Sequence, residues 1–529
     1  MKTFTQTRLI IITAIFLMLF GNFSFFDNIT NIYPLNIKNS LFLASLFVTF
    51  CCGIILLMSL ACFKYTIKPV LIMVLIASAS AAYFMDTYNV IISDEMVENI
   101  IQTNVAEVAD LMTIKFAVYF ILLGLIPAIF IYRQKIQFLS LKKEIISRLK
   151  LFSLTFAIMI GVILVFGSYY TSFFREHKVL RYYSNPSYFV YSVGSYISQQ
   201  FKENIGPIKK IGLDARIIPS NDRRKIVILV VGESARADRF SLNGYKKETN
   251  PLLKKENIIN FSNFSSCGTS TAYSVPCMFS MYTRSDFDMT KGNSHENVLD
   301  VLSRAGVNVI WLDNNSSSKG VAKRVTAIDY KSKKTNPECD IECRDVGMLA
   351  NLPKYIKDHP KGDFMIVLHQ MGNHGPAYYK RYPANFEKFK PVCKTNQIEK
   401  CTDEKINNTY DNVILYTDYF LSRAIGMLKT YNGNFDTSLI YMSDHGESLG
   451  ESGLYLHGLP YFIAPAEQTR IPALMWFNDG FASNKLNINA LKLKTGKEYS
   501  HDILFHTLLG IFNVSTDIYM KELDVTLNN

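Results

Sequence analysis

The sequence predicts two bodies of different class: an α-helical membrane domain over residues 1–172 and a soluble α/β domain over residues 225–529, with helices on both faces of a parallel sheet. Three observations predict this. Apolar stretches near the roughly 20 residues that a helix needs to cross a bilayer crowd residues 1–174 and then stop. Lys and Arg gather in alternate loops between those stretches. Beyond residue 225, short β-type apolar runs alternate with helical patterns, which is the signature of a sheet covered by helices.

Five stretches qualify as spans: about 9–26, 41–63, 69–85, 113–132 and 151–170. The first ends in GNFSFFDN, which is bulky and lacks a small-residue cleavage site. It is therefore expected to stay as an anchor rather than be removed as a signal peptide. Lys2 and Arg8 precede the first span, and Lys64 and Lys68 separate the second and third. Arg133, Lys135, Lys142, Lys143, Arg148 and Lys150 lie between the fourth and fifth. Residues 86–112 carry no basic residue. Positive charge on the cytoplasmic side puts the N-terminus inside and everything after the fifth span outside.

Two segments near the membrane have open readings. In loop 86–112, Asn99, Thr103 and Glu107 recur every four residues, so a helix would carry them on one face. That stripe suits either a lipid headgroup or plain solvent. Residues 173–192, rich in Tyr and Phe with scattered Arg and Lys, suit an interfacial segment or an ordinary linker. Residues 173–224 as a whole read as a connector.

The outer domain has apolar runs at 226–231, 307–312, 364–368, 438–442 and 471–477. Three of them end in chemistry. IVILVVGESAR delivers Glu233, MIVLHQMGNHGP delivers His369 and His374, and SLIYMSDHGES delivers Asp444 and His445. Open α/β sheets build their sites at the carboxyl edge of such strands. Carboxylate oxygen and imidazole nitrogen together suit zinc. Gly446 permits a tight turn after that pair, and LYLHGLP supplies His457 further on.

Six of the nine cysteines fall in the outer domain as three close couples: Cys267 with Cys277, Cys339 with Cys343, and Cys393 with Cys401. An even number in an oxidising space predicts three short-loop disulfides. A cysteine zinc site is the rival, and no C-x-x-C supports it. Cys51, Cys52 and Cys62 lie in the second span and read as packing or lipid-facing residues. The net charge of +11 comes partly from the cytoplasmic loop and partly from the outer domain. An outward basic domain tethered to a membrane suits anionic lipid or saccharide phosphates, and its compartment excludes nucleic acid.

A nucleophile is expected in SSCGTSTAYSVPCMF, where a disulfide pins a loop of small hydroxyl residues. Thr269, Ser270 and Thr271 are equal candidates on the residues alone. Any of them needs its pKa lowered, and a bound zinc does that.

VGESAR, SCGTSTAYSVPCMF, WLDNNSSSKG, LHQMGNHGPAY and SDHGESLGESGLYLHG together resemble the phosphoethanolamine transferases of the bacterial inner membrane, which modify lipid A and include the colistin-resistance transferases. The resemblance covers nearly the whole chain. It implies five transmembrane helices and a periplasmic α/β/α domain of the alkaline phosphatase/sulfatase-like fold. By position, it implies that Glu233, Thr271, Asp444 and His445 hold the catalytic zinc, with Thr271 as nucleophile. Asn315, Lys319, His374 and His457 match residues around the phosphoethanolamine group and its acceptor, and the two histidines are also linked to a second zinc. Asn99, Thr103 and Glu107 match a substrate-contacting stripe. Asp286 matches a position that is acidic in some relatives, and His369 matches a supporting residue.

The reaction that the resemblance implies is transfer of phosphoethanolamine from phosphatidylethanolamine to a lipid A phosphate through a threonine-bound intermediate, with resistance to polymyxin as the consequence. A monomer among membrane lipids is the expected state. Two other functions fit these residues on the same scaffold: transfer to the Kdo or heptose of the inner core, and hydrolysis by a membrane-anchored phosphatase, phosphodiesterase or sulfatase. A non-catalytic sensor is a third reading, and the intact Glu233, Thr271, Asp444 and His445 argue against it.

Overall fold

The structure is a computed structural model that describes residues 3–527 apart from 104, 176, 204–206, 220–222 and 485. It divides into two units. One comprises Met1–Val97 and Leu111–Ile197, the other Glu98–Asp110 and Ser198–Asn529.

The first unit is helical. It contains α1 (Gln6–Phe20), α2 (Phe23–Ile32), α3 (Ile37–Ala61) and α4 (Ile67–Tyr88). After an excursion through α5 (Asp94–Gln102) and α6 (Val105–Leu111) come α7 (Ile114–Arg133) and α8 (Leu141–Val165). Among the described residues, α3, α4, α7 and α8 are long and apolar enough to cross a membrane. The bent pair α1–α2 makes a fifth if taken as one span.

Two spans differ from expectation. The first is broken, with a bend of 56° between α1 and α2. The break falls at Gly21 and Asn22, where the Asn22 side chain donates to the Leu17 carbonyl at 2.9 Å and to the Asn185 carbonyl at 2.6 Å. The side chain thus bonds backbone that the helix would otherwise use. The last span begins ten residues early because the basic run Lys142–Lys150 is itself helical. Arg148 is held there by Gln6 at 2.6 Å and by the Cys62 carbonyl. Cys51, Cys52 and Cys62 are free and buried, so they pack.

The second unit is built on a seven-stranded sheet. Its strands are β1 (Arg224–Gly232), β2 (Ile259–Phe261), β3 (Asn308–Asp313), β4 (Thr326–Asp329), β5 (Phe364–His369), β6 (Phe435–Ser443) and β7 (Ala473–Phe477). Their order is β2-β7-β6-β1-β5-β3-β4. The β6, β1, β5, β3 and β4 neighbours pair in parallel. The predicted strand at 471–477 is antiparallel to β6 instead, because an apolar run carries no sign of direction. β2 and β4 are short, and β4 is an exposed edge, so neither has a readable apolar run.

Central strands are buried on both faces, which explains their unbroken apolar sequence. Val227, Leu229 and Val231 join a core with Met365, Val367, Ile440, Leu504 and Leu508. Helix α10 (Asp403–Lys429), after α9 (Thr271–Met278), packs on β6. Strand register sets where the site can form. Ser443 pairs with Gly232, Val231 with His369, and His369 with Asp313. The carboxyl ends of β6, β1, β5 and β3 are therefore flush, and the loops leaving these strands emerge at one edge.

Leu229→Ala removes a fully buried side chain at the middle of this sheet. The expected cost is about 2–5 kcal/mol. Thermal unfolding of the full chain checks this, and an unchanged midpoint would contradict the packing described.

Candidate active site

Glu233 comes directly after β1, and its buried carboxylate is a hub. Oε2 accepts from Thr271 Oγ1 at 3.0 Å and from Asn315 Nδ2 at 2.8 Å, while Oε1 accepts from Ser234 Oγ at 2.7 Å. Ser234 holds a left-handed backbone, φ +54°. Its neighbours over-determine that strained state: its N–H donates to Asp444 Oδ1 at 3.1 Å, and its carbonyl accepts from Tyr410 at 2.5 Å. Gly372 also has a positive φ, and a side chain there would meet the Glu233 backbone within about 3 Å.

Asp444 and His445 come directly after β6. Asp444 Oδ1 accepts from the backbone of Ser234 and His445, but Oδ2 is buried with no hydrogen-bond partner among the described residues. His445 Nδ1 donates to the Gly446 carbonyl at 2.8 Å. With Nδ1 so placed, Nε2 turns towards the two carboxylates. It points at Thr271 Oγ1 at 3.3 Å, Asp444 Oδ2 at 3.4 Å and Glu233 Oε1 at 3.5 Å. Two carboxylates and an imidazole nitrogen thus converge in a dry site. A divalent cation resolves that arrangement, and the donor set of two carboxylates and one imidazole fits zinc. The ligand atoms of Glu233, Asp444 and His445 all lie within 4.8 Å of one another.

The charges answer to the same crowding. Burial opposes ionisation of Glu233, yet His445, His374 and His457 hold its carboxyl well below the usual range. Burial, then the charge of Glu233, pushes Asp444 well above it.

The three hydroxyl candidates have different surroundings. Thr271 opens α9 and contacts Glu233 and His445. Thr269 donates instead to the Leu459 carbonyl at 2.6 Å, and the buried Ser270 hydroxyl has no partner among the described residues. The loop carrying them is tied by the Cys267–Cys277 disulfide, and the Cys339–Cys343 and Cys393–Cys401 disulfides also form.

The His457 ring lies 4.3 Å from that of His445, and the His374 ring lies 5.8 Å from His457. Asn315 is tied to Glu233 and to the Gln370 carbonyl, so it braces a carboxylate. Lys319 is buried with φ +48°, its ammonium 3.5 Å from the Gln102 carbonyl. His369 is buried beside Asp313 at 3.3 Å and packs on Trp311. Asp286 sits at an exposed turn with Thr283 and joins none of this. The expected helical stripe is interrupted: Asn99 lies on α5, Thr103 just past its end with Oγ1 donating to the Asn99 carbonyl, and α6 begins anew at Val105. The Glu107 side chain lies outside the described residues.

Gly446 is required for a different reason than a turn. A Cβ there would lie 2.1 Å from the Glu467 carbonyl, because that segment pairs its backbone with Glu467 and Gln468.

Three supporting residues were not singled out from sequence. Glu447 accepts from His457 Nδ1 and from Tyr378, each at 2.6 Å, and with His445 and His457 forms a second group able to hold a metal. Asp345 is buried and accepts from Asn314, Gln370 and the backbone of Met371 and Gly372, joining the loops after β3 and β5. His501 accepts from Cys267 N–H at 3.0 Å and donates to the Ser443 carbonyl at 2.9 Å, so it spans the Thr271 loop and β6. Glu447 stood in view in SDHGES, but the other two lie far from their partners in sequence.

Residues 225–514 match the family model for sulfatases, and residues 50–201 match the one described as phosphoethanolamine transferase EptA/EptB. The chain is 42% identical to phosphatidylethanolamine transferase Mcr-2 of Escherichia coli, covering 95% of this chain and 94% of that protein. It is 39% identical to phosphoethanolamine transferase EptA of Escherichia coli K12, over 98% of this chain and 95% of that one. Among solved structures, the integral membrane lipooligosaccharide phosphoethanolamine transferase EptA of Neisseria meningitidis matches with a TM-score of 0.95 and 35% identity, over 99% of both chains.

Burial pushes His501 down to about 4. The folded state holds it neutral while the unfolded chain protonates near 6.5, so its contribution is full above about 6.5 and is lost as pH falls towards 4. The loss expected is about 3 kcal/mol. Unfolding midpoints measured across this window should fall less steeply in His501→Gln. Equal slopes would contradict the assignment.

Proposed function

Because the chain belongs to the family of phosphoethanolamine transferases that includes EptA and Mcr, we propose that it moves phosphoethanolamine from phosphatidylethanolamine to a phosphate of lipid A, with Thr271 as the nucleophile. The protein is a multi-pass inner-membrane protein whose catalytic domain is periplasmic. The observation that carries the reading is the Thr271 hydroxyl, 3.0 Å from Glu233 and 3.3 Å from His445 Nε2.

Glu233, Asp444 and His445 would hold a zinc ion beside Thr271. When bound, that ion lowers the pKa of the threonine hydroxyl and offsets charge on phosphoryl oxygens, together worth several kcal/mol. The chain's own residues do the rest. The hydrogen bond to Glu233 aims Thr271 Oγ1, and Asn315 keeps Glu233 from turning away. In the first half-reaction, Oγ1 gives up its proton along its hydrogen bond to Glu233 Oε2, a bond forms from Oγ1 to phosphorus, and the bond from phosphorus to the diacylglycerol oxygen breaks. Diacylglycerol leaves with a proton from His457 or His374, imidazole being the side chain suited to proton transfer at neutral pH. Glu447 fixes the His457 tautomer by accepting from Nδ1, which turns Nε2 away from Glu447. In the second half-reaction, a lipid A phosphate returns a proton to that histidine and its oxygen attacks phosphorus, while the bond from phosphorus to Oγ1 breaks and Oγ1 takes back its proton from Glu233. Lys319 supplies a point charge for phosphate.

Both substrates are lipids, so an enzyme anchored among them extracts neither into water. Each transfer adds an ammonium to a phosphate, which weakens attraction of cationic peptides such as polymyxin.

Mass spectrometry of lipid A from cells making the protein should show added phosphoethanolamine, and Thr271→Ala should abolish it. A variant that still modifies lipid A would remove Thr271 as nucleophile. Addition to Kdo or heptose alone would move the acceptor to the inner core.

A further inference from the structure

The segment Glu98–Asp110 leaves the membrane-spanning sequence yet packs as part of the catalytic unit. Its last residue is held firmly. The Asp110 carboxylate pairs with Arg381 Nη2 at 3.0 Å and with Lys380, and its carbonyl accepts from Asn396 Nδ2 at 2.6 Å. Arg381 is buried, its side chain only 2% exposed. A guanidinium so placed is costly unless its donors are matched, and here they are. Nη1 reaches Glu342, and Nε donates to the His374 carbonyl at 2.8 Å. One planar fork therefore bonds the loop that carries Asn99 and Thr103 to the loop that carries His374. A second contact, from Lys319 Nζ to the Gln102 carbonyl at 3.5 Å, lies along the same segment.

We propose that Asp110 and Arg381 are positioning residues for the lipid donor. Their pairing holds Glu98–Asp110 at a set distance from His374, so that Asn99 and Thr103 meet the donor headgroup while its phosphorus sits at Thr271. This rests on the transfer reading above. The roles differ in a measurable way. Asp110 touches only the clasp, so its loss weakens donor binding and spares the bond-making step. Arg381 also bonds the His374 backbone, so its loss affects both.

The test uses the full chain in nanodiscs containing phosphatidylethanolamine and saturating lipid A, with diacylglycerol release measured against donor density. Asp110→Asn should raise KM about tenfold and leave kcat within about twofold. Arg381→Gln should raise KM and lower kcat, and the double variant should show no higher KM than Arg381→Gln alone. Hydrogen exchange at the backbone amides of residues 98–103, measured without substrate, should quicken in Asp110→Asn. An unchanged KM in an active Asp110→Asn, or KM effects that multiply in the double variant, would overturn the proposal. A wild-type protein that releases no diacylglycerol would sink the transfer reading, and this proposal with it.

Discussion

Two carboxylates buried against one imidazole nitrogen are the constraint on which the rest of this molecule depends. Glu233 and Asp444 are both shut away from water, and His445 Nε2 faces both. Such a cluster repels itself in a low-dielectric setting. It survives because the surrounding backbone holds it: Ser234 in a strained state, Gly372 and Gly446 where no side chain fits, and flush strand ends that give the ligands nowhere else to go. The result is a group of two carboxylates and an imidazole with the Thr271 hydroxyl beside it.

The sheet explains why these residues meet. Parallel pairing aligns the carboxyl ends of neighbouring strands, and the register leaves Glu233, Asp444 and Asn314 one step beyond the same edge. This is the place where open α/β sheets build sites. The loop of Thr271 comes from elsewhere and needs its own fixings: a disulfide, the Ser274 bond to the Asp444 carbonyl, and the His501 bridge. The position of the hydroxyl is thus set by bonds to residues distant from it in sequence.

Much of this was legible because it is local. An apolar run that stops at Glu233 or at Asp444–His445 states both the strand and its chemistry within about ten residues. The spans were legible for the same reason, through length and charge. The features that escaped are non-local or directionless. His501 matters only through Cys267 and Ser443, and Asp345 only through loops after two other strands. The antiparallel course of β7, the broken first span and the interrupted stripe at Thr103 depend on partners that periodicity does not contain. Gly446 reads as a turn residue in sequence because a close approach by Glu467 leaves no mark there.

The central claim is that Glu233, Asp444 and His445 hold a divalent cation against the Thr271 hydroxyl. Anomalous diffraction at the zinc edge, from crystals of the full chain, tests it most directly. The account predicts one strong peak about 2.0–2.2 Å from an oxygen of each carboxylate, from His445 Nε2 and from Thr271 Oγ1. No peak at that position, or an ion held by the three ligands with the threonine hydroxyl turned away, would contradict it.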